Sequence, residues 1–198
     1  MRSFIQQYII LPRLKKRFSQ NRLQPSYIPL QEAGSLGILA DFRHPDHVRP
    51  VIQFAATLHK MKNRCHLLLL VSEKRKELNR FDYEKHFPGM PVELIATDEL
   101  KWFNIPQKKL IVPFTQKNYD ILFRLDQLDN FTLDYIFFKT KARMYAGIAG
   151  AAGGMIDFEI DIQPKTDLQS LTENLLNYLQ TIQSKKDTKQ QPTNQKLF

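Results

Sequence analysis

An α/β fold with a mostly parallel sheet is the architecture this sequence predicts, and three observations predict it. Short apolar runs alternate with stretches of helical period: SLGILADF around Leu36–Ala40 and CHLLLLV over Cys65–Val71 are the clearest strands. The second run is apolar at successive positions, the pattern of a strand covered on both faces. Strand, helix and buried strand also follow one another within about 35 residues, which makes a βαβ unit with parallel pairing and a right-handed crossover. At 198 residues, 42% of them apolar and 14 of them Phe, the chain suffices for one domain with a real core. The expectation is a single Rossmann-like three-layer domain over residues 31–184, with five to six strands and helices on both faces. A basic amphipathic extension at 1–30 precedes it, and a disordered basic tail at 185–198 follows.

Taken in order, residues 2–22 predict a helix broken or kinked near Pro12, which lacks an amide hydrogen and crowds the preceding turn. Phe4, Ile5, Tyr8, Ile9 and Leu11 share one side before the proline, and Leu14 and Phe18 continue the stripe after it. Leu23–Pro29 is an extended connector. After the first strand, the turn RHPDH leads into a helix from about His47 to Lys62, with Val48, Val51, Ile52, Ala55 and Leu58 facing inward. Residues 73–87 mix charges at helical spacing and predict an exposed helix or helical turn. Val92–Thr97 is a third strand, and the following loop carries the only tryptophan, Trp102. Gln107–Lys117 stays open between strand and helix.

Asn118–Gly154 then repeats the motif, with a strand over Asp120–Leu125, a helix over Phe131–Lys139 capped by Asn130, and a strand over Ala142–Ile148. Met155–Ile162 alternates apolar and acidic residues, which suits an edge strand. The last helix opens on a capping box of Thr166 and Gln169, and Leu168, Leu171, Leu175, Leu179 and Ile182 give it an apolar face.

The net charge of +9 is unevenly placed. Residues 1–30 hold six bases and no acid, residues 185–198 hold four bases against one acid, and the middle carries 19 of each. Clustered bases favour a polyanion or an anionic membrane surface over a small acidic substrate. The lone Cys65 excludes an internal disulfide and any zinc site built on several cysteines. No apolar run reaches the roughly 18 residues of a spanning helix, and no cleavage site follows the N-terminus, so a cytoplasmic location is expected.

Several groups carry candidate chemistry. Asp41, His44, Asp46 and His47 lie at the carboxyl end of the first strand, where ligands sit in open α/β sheets. They suit acid–base work or a metal, though His-Pro-Asp is equally good turn-and-cap chemistry. Asp126 and Asp129 extend the same edge and could bind a cation or a ribose there, but a polar turn that caps the helix is the preferred reading. Gly147, Gly150, Gly153 and Gly154 lack the strand-to-helix setting of a phosphate loop and read as a connector. Lys141 and Arg143 share a strand face and form a small basic strip. Trp102 beside Lys101 and Phe103 resembles a base-stacking patch, but a buried aromatic is the preferred reading. Nothing in these groups calls for a cofactor or a metal.

The order SLGILADF, DELKWFNIP, NYDILFRL, LDYIFFKTKARMYAGI and MIDFEIDI with a Leu-rich last helix resembles a family of uncharacterised bacterial proteins that carries a domain-of-unknown-function label. The likeness covers about residues 34–183 and implies no activity. Over about 30 residues the chain is also similar to the Rossmann-like N-terminal half of heptosyltransferase-type glycosyltransferases, with a strand carrying a YDxxxxL pattern before a helix and a basic strand. Their nucleotide-sugar-binding second half has no counterpart, so the transferase activity does not carry over.

Three functions follow as expectations. The first is a non-enzymatic protein associated with RNA, on the ribosome for example, through Arg13, Lys15, Lys16, Arg17, Arg22, Lys141, Arg143, Lys185 and Lys186. The second is a glycosyltransferase-like or nucleotide-binding domain using Asp41, His44, His47, Asp126 and Asp129, with the small-molecule ligand unspecified. The third is a peripheral protein held on an anionic membrane surface by residues 4–18.

Overall fold

The computed structural model describes residues 2–22, 27–61, 63–126, 130–149, 151–160 and 167–188. At its centre is a six-stranded sheet in the order β3-β2-β1-β4-β5-β6. The strands are β1 (Ser35–Asp41), β2 (Arg64–Leu70), β3 (Val92–Ile95), β4 (Asn118–Leu125), β5 (Lys141–Ile148) and β6 (Phe158–Ile160). Every pairing is parallel, so the expected mostly parallel sheet is wholly so. The chain builds outward from β1 to β3, returns to the other side of β1, and builds outward again through β4, β5 and β6. This reversal puts a topological switch point at the carboxyl ends of β1 and β4, the Rossmann arrangement.

Side chains of period two divide between the two faces of the sheet. Ile38, Ala40, Leu67, Leu69, Ile121 and Phe123 meet α3 (Pro45–Lys60) and α7 (Leu168–Thr188) on one face, in a cluster with Val51, Phe54, Leu171 and Leu175. Leu39, Leu68, Leu70 and Leu122 face the other way. There they meet Phe18 of α2 (Leu11–Asn21), Ile111 and Phe114 of α5 (Lys108–Thr115), and Leu133, Ile136 and Phe137 of α6 (Phe131–Phe137).

The N-terminal helix is therefore one of the covering layers rather than an appendage. Phe18 packs against Phe137, Phe138 and Tyr145 at ring-centroid distances of 5.6, 5.3 and 5.1 Å. Pro12 does not break this helix. An α-helical turn α1 (Arg2–Ile5) runs into a π-helical segment at Gln6–Ile10 and then into α2, with Leu11 N–H donating to Gln6 O five residues back. The wider turn ahead of it makes room for the proline ring inside a helix that runs on.

Other departures have local reasons. Of residues 73–87 only α4 (Arg80–Glu84) is helical, capped by Asn79, because the charged run offers no apolar stripe to bury. Gln107–Lys117 resolves as α5, whose Ile111 and Phe114 are buried three residues apart on one side. Among the described residues of the alternating segment, Phe158–Ile160 pair, at the sheet edge. Asn130 caps α6 by accepting Leu133 N–H at 3.2 Å, as expected. Thr166 lies outside the described residues, and the cap on α7 is Asp167, whose Oδ1 accepts Ser170 N–H at 2.7 Å. Helix α7 continues to Thr188, past the Ser184 boundary, so Lys185 and Lys186 stand in its last turns. Residues 189–198 lie outside the described residues.

Candidate functional site

The switch point collects the residues singled out at the first sheet edge. Asp41 ends β1 and is buried, and its carboxylate accepts from Arg43 through Nε at 2.8 Å and Nη2 at 2.5 Å. Asn130, capping α6 across the crevice, donates its Nδ2 to Asp41 Oδ2 at 2.7 Å. Burial by itself would raise the Asp41 carboxyl, but the Arg43 bonds outweigh it and hold the group below the usual carboxylate range. His47 is also buried and bonds Asp41 O through Nδ1 at 3.0 Å; a carbonyl only accepts, so Nδ1 carries the proton. His44 is exposed, with its ring centroid 5.1 Å from that of His47.

On the β4 side, Arg124 is the largest fully buried side chain. Its Nε and Nη2 grip Asp126 at 2.7 and 3.0 Å, and its Nη1 reaches Asp134 on α6. Burial pulls this guanidinium down, yet Asp126 and Asp134 together hold it above its ordinary value, so it stays charged. Gly147 of β5 lies opposite Arg124, where a Cβ would stand 2.7 Å from the Arg124 carbonyl oxygen, so only glycine fits. Asp126 is thus half of a buried forked ion pair, not a residue of a polar turn. Asp129 lies outside the described residues. The crevice that accepts ligands in open α/β sheets is here spanned by the chain's own bonds.

Beside it, between the starts of α3 and α7, lies an open cleft of about 840 Å³, lined by His44, Asp46, His47, Arg49 and Asp167 among others. Its charges are mixed, and no group of three His, Cys, Asp or Glu among the described residues is gathered closely enough to hold a metal ion.

The basic residues sort differently. Arg13, Lys16 and Arg17 project from α2 into solvent, while Lys15 is half-buried with its ammonium over Gly153. Arg22 is not free: it pairs with Asp157, and its guanidinium lies 5.4 and 5.0 Å from the ring centroids of Phe18 and Tyr145. Lys141 is exposed on the half of β5 that β6 leaves unpaired. Arg143, on the same strip, is exposed but pairs with Asp120 at 3.2 Å. The side chains of Lys185 and Lys186 lie outside the described ones.

What the fold adds is a second basic segment on the face that α2 covers. Residues 100–117 hold Lys101, Lys108, Lys109 and Lys117 and no acid, and all four lysines are exposed. Lys108 and Lys109 open α5, whose Ile111 and Phe114 share a buried cluster with Phe18. Residues 2–22 and 100–117 together carry ten bases and no acid, whereas α3 and α7, on the opposite face, carry four bases and three acids. The acid-free run from Leu100 to Tyr119 is readable in the sequence, but its place on the same face of the sheet as α2 is not.

Trp102 lies in the same segment and is 83% exposed, which corrects the expectation of a buried ring. Phe103 and Asn104 after it have φ of 62° and 56°. That is the left-handed region, in which a bulky residue such as phenylalanine is an outlier.

The fold and the site define a Rossmann-like α/β domain whose switch point is filled from within and whose two faces differ in charge. Residues 6–182 match the model of a family of unknown function, DUF6913, and the chain belongs to that family. No curated protein matches the chain.

Proposed function

We propose that this protein is a non-enzymatic RNA-associated module that binds the phosphate backbone through one face of its sheet. The observation that supports this most is the charge segregation: ten bases and no acid in the two segments that share that face. A nucleic acid offers one negative charge per nucleotide, and such a surface gains affinity by releasing condensed counterions. A ribosomal RNA segment is one polyanion of this kind.

The nucleotide-sugar reading implied by the heptosyltransferase likeness draws less support. It needs free carboxylates at the sheet edge, and Asp41 and Asp126 are committed to Arg43 and Arg124. No helix among the described residues is long and apolar enough to cross a membrane. An anionic membrane surface is the competing partner for the basic face.

Titrating the full chain with a fluorescent RNA at increasing salt tests the proposal. Binding that weakens steeply with salt, and that collapses when Arg13, Lys16 and Arg17 are all changed to glutamate, is the expected outcome. These three are exposed, so their replacement leaves the Phe18 core intact, as deletion of the helix would not. Failure to bind any RNA at low salt overturns the reading.

A further inference from the structure

We infer that the basic face takes single-stranded RNA, with unpaired bases stacked on exposed aromatic rings, Trp102 first among them. This rests on the RNA reading above and narrows it to one strand form.

Exposed rings stand at two places, the N-terminal helix and the Trp102 turn. Phe4 and Tyr8 lie one helical turn apart with ring centroids 4.6 Å from one another, and both are more than half exposed. Gln6, on the other side of that helix, donates its Nε2 to Phe103 O at 2.7 Å and so holds the turn that carries Trp102 against the helix. Lys101 precedes Trp102 and Lys108 and Lys109 open α5 shortly after it, while Arg13, Lys16 and Arg17 are exposed further along the helix that carries Phe4 and Tyr8. Exposed π-faces among cations are what a sequence-tolerant single-strand site requires: the faces take the bases and the cations follow the backbone.

The turn shows that the exposure of Trp102 is imposed by the structure. Its backbone is held in the left-handed conformation at two consecutive residues, an arrangement that persists only where its surroundings over-determine it. Four hydrogen bonds do so. Asn104 N–H donates to Lys101 O at 3.0 Å, and Lys101 N–H donates to Ile105 O at 2.8 Å. Thr132 Oγ1 of α6 donates to Asn104 O at 2.9 Å, and Gln6 supplies the fourth. A strained, firmly held turn that presents the chain's sole indole to solvent is a poor solution for folding and a good one for binding.

A-form duplex RNA keeps its bases stacked inside and offers only backbone and groove edges, so it cannot use these rings. Charge complementarity alone does not separate the two forms; the aromatics do.

The sole tryptophan makes the test direct. The full chain is mixed with a 12-nucleotide single-stranded RNA and, separately, with its duplex, and indole emission and affinity are both followed. Expected are quenching by the single strand only, tighter binding of the single strand, and a loss of roughly ten-fold or more in that binding for Trp102→Ala, recovered largely by Trp102→Phe. Equal binding of both forms without quenching, and with Trp102→Ala unchanged, overturns this inference while the RNA reading stands. No binding of either form overturns both. Anionic phosphatidylserine vesicles that shift the Trp102 emission when neither RNA does assign the surface to a membrane and likewise overturn both.

Discussion

Arg124 is the side chain whose loss has the most definite consequence. In Arg124→Leu the Asp126 carboxylate, whose side chain is 2% exposed, loses both guanidinium bonds and is left as an uncompensated buried charge. Removing one partner of a buried pair costs about 3–5 kcal/mol. Asp134 is 13% exposed and lies in the first turn of α6, where the helix dipole favours it, so its share of the loss is small. A domain of this size has about 5–15 kcal/mol in total, and each kcal/mol corresponds to roughly 2–4 °C of melting temperature. The expected fall is therefore roughly 6–20 °C, read by circular dichroism at pH 7. The double variant Arg124→Leu with Asp126→Leu removes the stranded charge along with the guanidinium. Replacing a buried pair by apolar groups is commonly neutral, so this variant recovers at least half of the loss. A fall smaller than about 1 kcal/mol in the single variant, or a double variant no better than the single, contradicts this account of the pair.

Three further outcomes are expected. Phe18→Ala empties the meeting point of Phe137, Phe138 and Tyr145 and lowers stability by about 3–5 kcal/mol in urea unfolding; a cost under about 1 kcal/mol shows that the N-terminal helix is not part of the core. His66 is buried, bonds Tyr119 Oη through Nδ1 at 2.8 Å, and is pushed down to about 4, by burial first and then by Lys117. The folded state thus refuses a proton that the unfolded chain takes below about pH 6.5. Stability is full above that pH and falls by about 3 kcal/mol as pH drops from 6.5 to 4, while a His66→Gln variant lacks this part of the slope; equal urea midpoints for the native chain at pH 7.5 and pH 4.5 refute it. Changing Arg13, Lys16 and Arg17 to glutamine lowers the slope of log affinity against log salt by about 0.7 for each single-strand phosphate that is no longer neutralised, and an unchanged slope removes these residues from the interface.

Local pattern along the chain set the layers of this protein. Apolar runs such as CHLLLLV have no polar face to offer water, so burial on both sides, parallel pairing and covering helices follow without any knowledge of distant neighbours. Of the caps, Asn130 is where the pattern puts it, and at α7 Asp167 accepts Ser170 N–H, with Thr166 outside the described residues. Whatever depends on residues far apart in the chain needed the folded molecule. Arg124 sits in an apolar strand pattern and gives no hint that two carboxylates follow it into the interior. Arg22 reads as one more tail cation until Asp157, 135 residues away, meets it. The charge map changed most. Along the chain the bases crowd the two ends around a neutral body, because a linear count averages Lys101, Lys108, Lys109 and Lys117 with acids elsewhere. Folding places the segment that carries those lysines on the same face of the sheet as α2, and a turn held by Gln6 and Thr132 leaves its Trp102 exposed. Electrostatics acts through space, so a surface assembled from two distant acid-free segments exists only once the sheet has brought them to one face.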